Sequence, residues 1–255
     1  MSLLETTRRG LIEQWSMNRP QARNALNPDL VSELHYALKD AEASTTRVVV
    51  LSGRGLSFCA GADLRYLHEC ALTDLSPRPF LESICALTVA MEQSPILFVA
   101  ALNGHAVAGG FELALACDLV VAAKGALVGD GHVRNNLVPG GGASVRIQRR
   151  LGAARGAWLA LSGELVAAES LVPSGWIHAA TEPEDLLPTA LGVADRLASV
   201  PQAAQASYKR LLNGPADAIE AGLARELDNF EQHWADNDIA THLRQFLREK
   251  EPLND

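Results

Sequence analysis

The chain has 255 residues, of which 48% are hydrophobic and 20% charged, with a formal net charge of -8. That is enough for one large domain, or one domain with an appendage, of ordinary globular composition. The acidic balance argues against nucleic acid or an anionic membrane surface as the main partner, although an anionic small molecule can still bind through local Arg residues and helix N-termini. No apolar run approaches the ~20 residues of a spanning helix. The first ten residues mix charges without an apolar core, unlike a signal peptide. Cys59, Cys70, Cys85 and Cys117 show no CxxC pair and no metal-ligand spacing, so the expectation is reduced, mostly buried thiols in a cytoplasmic protein with no metal.

In chain order, residues 3–17 read as a short strand pair around Gly10, followed by a polar loop over 18–24 that contains Pro20. Asn27-Pro28-Asp29 then opens a helix, with Asn as N-cap, Pro at the first helical position and an acid in the first turn. Leu30, Val31, Leu34, Ala37, Leu38 and Ala41 share one face of it. Arg-Val-Val-Val-Leu over 47–51 is a continuous apolar run, as expected of a strand covered on both faces. A Gly-rich loop over 52–63 leads into a helical stretch, 72–80 is a Pro-rich connection, and a helix over 80–93 precedes an apolar strand over 95–102. A second Gly-rich turn enters an apolar helix carrying Glu112, and a further strand spans 118–122. Residues 128–142 read as a loop rich in Gly and Asn, and 143–151 as a basic helix. Short apolar strands alternating with helices predict the α/β class with largely parallel pairing. From Glu184 onward the pattern is helical only, over 186–198, 202–212, 216–234 and near 242–250. The expected division is a core over 1–190 and a C-terminal helical region over 191–255 that serves oligomerisation by packing on a neighbouring subunit or else folds back.

Two turns carry the chemistry. In Ser57-Phe-Cys-Ala-Gly-Ala-Asp63 the small residues Ala60, Gly61 and Ala62 let a ligand approach the backbone, and a helix start beyond offers free N–H donors. Val107-Ala-Gly-Gly110 before Glu112 has the same properties. Two such turns can aim one N–H each at a single carbonyl oxygen, the minimal device for stabilising an enolate or a tetrahedral oxyanion. Glu112 is then an acid/base beside that device, or else an acid that merely favours the helix dipole.

These residues, in this order, resemble the crotonase superfamily, the enoyl-CoA hydratase/isomerase family, over nearly the whole chain. Asn18-Arg-Pro-Gln-Ala-Arg-Asn-Ala-Leu26 is similar to its N-terminal loop and Ser57 to Leu64 to its F-x-A-G-A-D-[LI] segment. Asn103-Gly-His-Ala-Val-Ala-Gly-Gly-Phe-Glu-Leu113 with Cys117-Asp118 resembles N-G-x-x-x-G-G-G-x-E-L…C-D, and Val138-Pro-Gly-Gly-Gly142 resembles the later P-G-x-G turn. The resemblance implies a spiral of ββα units with a C-terminal helical region, assembled as a homotrimer or dimer of trimers. It implies an acyl-CoA thioester substrate, with coenzyme A part of that substrate and no permanently bound cofactor. The N–H groups of Ala60 and Gly109 would polarise the thioester carbonyl. Ala22 and Arg23 would lie near the adenosine phosphates, and Ala60, Gly61, Ala62, Asp63 and Leu64 would line the adenine and pantetheine path. The segment 241–250 resembles the C-terminal helix that reaches a neighbouring subunit's CoA, where Arg248 or Lys250 would meet a phosphate.

The sequence departs from the family at one instructive position. Hydratases of this family use a second glutamate in a segment like G-x-P-E, twenty positions after the first, and here that position is His132 within Val128-Gly-Asp-Gly-His-Val133. Hydration wants a water held between two groups, one to take its proton and one to protonate carbon. A His can do either job but not with two-carboxylate geometry, which points to an isomerase or an atypical hydratase with Glu112 and His132 as proton carriers. Asp130, two residues earlier, can reach His132 only if the loop folds them together. His105 reads as a residue bonded to backbone, and Asn135 and Asn136 as residues that shape the loop or reach the acyl pocket. Ala108 replaces a common third glycine, and alanine is small enough that the turn should survive if its φ is negative. Two alternatives stay open: a hydrolase of a thioester or of a diketone C–C bond, like the oxocamphor hydrolase branch, whose Asp partner for the His corresponds to Gly141 here; and a non-catalytic acyl-CoA binder.

Overall fold

The apolar runs of the sequence become the middle of a six-stranded sheet in the computed structural model, which describes residues 2–73, 75–214 and 216–248. The strands are β1 (Leu4–Arg9), β2 (Ile12–Met17), β3 (Val48–Gly53), β4 (Ser57–Cys59), β5 (Leu97–Leu102), β6 (His105–Val107), β7 (Leu119–Ala123), β8 (Leu127–Gly129), β9 (Val166–Ala167) and β10 (Ile177–Thr181). The helices are α1 (Pro28–Glu42), α2 (Leu64–Leu72), α3 (Arg78–Gln93), α4 (Gly109–Ala116), α5 (Ala143–Leu151), α6 (Ala153–Ser162), α7 (Leu186–Ala198), α8 (Gln202–Asn213), α9 (Ala216–Asp236) and α10 (Ile239–Arg248). The large sheet has the order β1-β2-β3-β5-β7-β10, parallel except for the β1–β2 hairpin. A smaller sheet has the order β4-β6-β8-β9 and is parallel except at β9.

Each of β3–β4–α2, β5–β6–α4 and β7–β8–α5 gives one strand to the large sheet, the next to the small sheet, and then a helix. This is the expected spiral of ββα units. Both faces of β3, β5 and β7 are covered, which is why their sequences are apolar without alternation. Val49, Leu51, Phe98, Ala100 and Leu102 face the main core, while Val48, Val50, Val99, Ala101 and Val121 face Leu186, Ala190, Val193 and Ala194 of α7. α1 starts as its cap predicts: Asn27 Oδ1 accepts the Leu30 N–H at 3.0 Å.

Two differences from the sequence reading matter, the domain boundary and the content of two loops. The expected boundary at residue 190 falls inside α7, which covers one face of the large sheet and so belongs to the core. The helices that follow fold back onto the same chain, α9 against α3 and α5, and α10 against α2. The loops expected over 52–63 and 128–142 contain β4, β8 and a 3₁₀ turn at His132–Asn135. Strands of two or three residues are too short to show a period of two. All four cysteines are buried and unpaired. Among the described residues, no helix is long and apolar enough to cross a membrane.

Candidate active site

Because β4 and β6 are parallel neighbours, the turns that leave them lie side by side. Their approach is close enough to require glycine. A methyl built on Gly61 would stand 2.9 Å from Ala108 Cβ and 3.1 Å from Gly109 N, and one on Gly109 would stand 3.2 Å from Ala62 N. One expectation is corrected here. The Ala60 N–H already donates to Arg23 O at 3.0 Å, so it is not free for a ligand. The N–H groups of Ala62 and Gly109 have no acceptor among the described residues. They are the adjacent pair that two successive ββα turns bring together.

The turn after β4 is laced to the N-terminal loop. Leu26 N–H donates to Gly61 O at 2.8 Å and Asp63 N–H to Leu26 O at 2.7 Å. Arg23 and Asn24 are both left-handed, with φ of +52° and +54°. The buried Asn24 side chain donates to Arg54 O and Ser57 O at 2.9 and 2.8 Å and accepts the Arg19 N–H at 2.9 Å. Asp63 caps α2 through Arg65 N–H and pairs with Arg19 at 2.9 Å, so its carboxylate is engaged in structure. Arg23 is exposed beside half-buried Ala22, and Leu64 is half-buried at the start of α2. Sequence reasoning missed Arg19 and Asn24, whose only signal was an Asn in a Pro-punctuated loop.

Glu112 lies in the first turn of α4 and is 2% exposed. Its Oε1 accepts N–H from Gly141 at 2.9 Å and from Ala143 at 3.0 Å, both at the start of α5. Burial pushes its carboxyl up to about 7; His132 opposes this, Glu226 and Asp130 add to it, and the Ala143 N–H opposes it. Gly141 makes room for the acid, since a methyl there would stand 2.5 Å from Glu112 Oε2. Glu226, from α9, is also buried and accepts N–H from Gly142 at 2.5 Å and Ser144 at 2.8 Å. It was not foreseen, because nothing in the spacing of an amphipathic helix marks one Glu as inward.

The loop after β8 brings Asp130 and His132 into contact. Gly131 between them has φ +67°, and His132 Nδ1 shares a hydrogen bond with Asp130 Oδ1, both side chains buried. Burial alone would lower the imidazole, but the Asp130 hydrogen bond and charge, with Glu112 and Glu226 behind them, push it up to about 9. His132 Nε2 has no hydrogen-bond partner among the described residues. His105 accepts the Leu127 N–H at Nδ1 (3.0 Å), tying β6 to β8 as a backbone-bonded residue. Asn136 is left-handed, and its carbonyl accepts from His233 Nε2 at 2.7 Å, while Asn135 closes the 3₁₀ turn. Lys250 and the side chain of Arg248 lie outside the described residues. Among the described residues, no group of three or more His, Cys, Asp or Glu could hold a metal ion.

Ala108 keeps the turn without the negative φ that would make it easy for alanine. It sits at φ +50°, ψ -121°, a conformation that suits glycine and strains an L-residue by about 1–3 kcal/mol. The family's glycine would relieve that strain but add entropy to the unfolded chain. Ala108→Gly is therefore expected to raise stability by about 1 kcal/mol, read as a higher urea midpoint at unchanged slope. An unchanged or lower midpoint would contradict it.

The assembled site thus holds two unbonded amides, a buried carboxyl poised near neutrality and a buried imidazolium. A family model described as enoyl-CoA hydratase/isomerase matches residues 7–254. The 2,3-dehydroadipyl-CoA hydratase of Escherichia coli (strain K12) is 32% identical over 99% of this chain and 98% of its own length. The crotonyl-CoA hydratase of Syntrophomonas wolfei is 31% identical over 92% of this chain and 90% of its own. The crystal structure of an enoyl-CoA hydratase from Mycobacterium avium subsp. paratuberculosis K-10 superposes with a TM-score of 0.85 at 25% identity, covering 96% of this chain and 98% of that one.

Proposed function

The chain belongs to the enoyl-CoA hydratase/isomerase family, and from that premise we propose that it adds water across the double bond of a 2-enoyl-CoA, with Glu112 and His132 as its proton carriers. The observation that supports this reading is the Asp130–His132 pair buried beside Glu112, which gives the site a base and an acid of different kinds. The thioester oxygen accepts from the Ala62 and Gly109 N–H groups. Ionised Glu112 takes a proton from water, whose oxygen bonds to Cβ. The displaced electron pair moves onto the thioester oxygen as an enolate. The enolate then takes a proton at Cα from His132 Nε2. One water is added and both proton carriers are reset by exchanging a proton with solvent.

Ala22 and Arg23, the latter tied by its carbonyl to the Ala60 N–H, carry the coenzyme A portion in this reading, and no cofactor is permanently bound. The proposed enzyme is cytoplasmic and assembles as a homotrimer or dimer of trimers. Exposed Trp158, Leu161, Tyr208, Leu211 and Leu212 support such assembly. Its test is a panel of 2-enoyl-CoA and 3-enoyl-CoA thioesters with the purified protein, read by loss of the conjugated enoyl absorbance and by product mass. Turnover of 3-enoyl-CoA without water gain would make Glu112 the lone shuttle of an isomerase. A panel with no turnover at all would leave a non-catalytic binder.

One observation favours a second reading. The diketone hydrolase alternative lacked a carboxylate partner for His132, because Gly141 stands where that branch has an Asp, and Asp130 supplies one. A histidine held protonated is a poor base for activating water, which keeps hydration first. The same carboxylate sets a pH prediction. His132 is held protonated up to about 9 largely by Asp130, so the acid form is present below that pH and lost above it. In Asp130→Asn the alkaline limb of kcat/KM is expected to move down toward the Glu112 limb, with about a 10-fold loss at pH 8. An alkaline limb that stays near 9 would sink this assignment.

A further inference from the structure

At the entry to helix α5 the consecutive N–H groups of Gly141, Gly142, Ala143 and Ser144 take their acceptors from outside the helix. Two carboxylates divide them alternately. Glu112 Oε1 takes Gly141 and Ala143 at 2.9 and 3.0 Å, while Glu226 takes Gly142 through Oε1 at 2.5 Å and Ser144 through Oε2 at 2.8 Å. Glu226 is 6% exposed and reaches the turn from α9, 84 residues beyond Gly142. The turn is fixed from a third side as well. Arg146 donates to Gly141 O at 3.3 Å and is itself held by Glu92 in a two-bond pair at 2.9 and 2.7 Å. With the intervening amides filled, Glu112 has one register on this helix start. Without Glu226 the Gly142 and Ser144 N–H groups would be open, and the Glu112 carboxylate could move to either.

We infer that Glu226 is a positioning residue: by occupying alternate amides it holds Glu112 in a single register, which makes helix α9 a working part of the site. This deepens the acid/base reading of Glu112 and rests on it. The groups facing Glu112 are His132 and Asp130 from the β8 loop, Glu226 from α9, Arg146 from α5, Cys85 from α3 and Cys59 from β4. Among the like charges, Glu226 raises the Glu112 carboxyl more than Asp130 does. Its removal therefore moves a measurable quantity that a merely structural residue would leave alone.

The test is steady-state kinetics on crotonyl-CoA across pH, with thermal melts of each variant. In folded Glu226→Gln, kcat is expected to fall about 10-fold with KM changed by less than about twofold, and the acid limb to move down by about one pH unit. Glu226→Asp, which keeps the charge at shorter reach, is expected to restore the limb but recover only part of kcat. A wild-type kcat with an unmoved limb in Glu226→Gln overturns the inference, and so does a change confined to KM or melting temperature. Should the Gln variant fail to fold, the Asp variant decides: a lower kcat in folded protein supports the inference and a wild-type kcat overturns it. Failure of both to fold overturns it too, by making Glu226 a scaffold residue. Glu112→Gln measured alongside separates the two levels, because full activity there removes the acid/base reading itself.

Discussion

Glu112→Gln is expected to lower kcat on a 2-enoyl-CoA by about 10²–10⁴-fold with KM little changed. The amide has the shape of the acid, and its oxygen can still accept from Gly141 and Ala143 N–H, which then puts its NH₂ at the position of Oε2. The fold should therefore survive while the proton acceptor is lost. The pH profile sharpens the expectation. With Glu112 at about 7 and His132 at about 9, the proposed roles require ionised Glu112 above the first value and protonated His132 below the second. A bell with its maximum near pH 8 follows, and the Gln variant should keep residual activity without the acid limb. Wild-type turnover in that variant would end the acid/base reading, whatever the fold.

Gly110→Ala should destabilise the protein by about 3 kcal/mol and abolish turnover with it. Gly110 is buried at the second position of α4, where an added methyl would stand 2.1 Å from Cys59 O, 2.7 Å from its carbonyl carbon and 2.8 Å from its Cβ. Two of those atoms are backbone at the end of β4, so no rotamer change relieves the clash. Relief requires α4 to move away from β4, which separates the Ala62 and Gly109 amides. Gly192→Ala, in α7 with open space around it, is the matching control and should leave both stability and turnover at or above wild type. A small urea-midpoint shift for Gly110→Ala would show that the two turns are less tightly apposed than described.

The large sheet was legible because its central strands are covered on both faces and so are continuously apolar. The start of α1 was legible because Asn27, Pro28 and Asp29 each solve a separate problem of a helix N-terminus. The small sheet was not, since β4, β6 and β8 have three residues each and draw their stability from neighbours distant in sequence. The candidate site was readable as residue types around two turns but not as a choice of atoms. Which amide of the first turn is free depends on Arg23 O taking the Ala60 N–H, a contact made by a left-handed residue in another loop. The Asp130–His132 contact likewise depends on the positive φ of Gly131. Ala108 adopts a glycine conformation that its identity argues against, because packing of α4 against β4 outweighs a local preference.

The exits of the small sheet have a further consequence. β4 delivers the Ala62 amide, β6 delivers Gly109 and Glu112, and β8 delivers Asp130 and His132, each at the end of one turn of the spiral. The candidate site is therefore divided along the chain, each coil contributing its own groups. A change in the loop after β8 can replace one proton carrier by another while the carbonyl grip and the first acid, built on separate coils, keep their geometry. On the proposed reading, a scaffold of this kind lets the reaction be re-specified one coil at a time, with the imidazole at position 132 as such a local change.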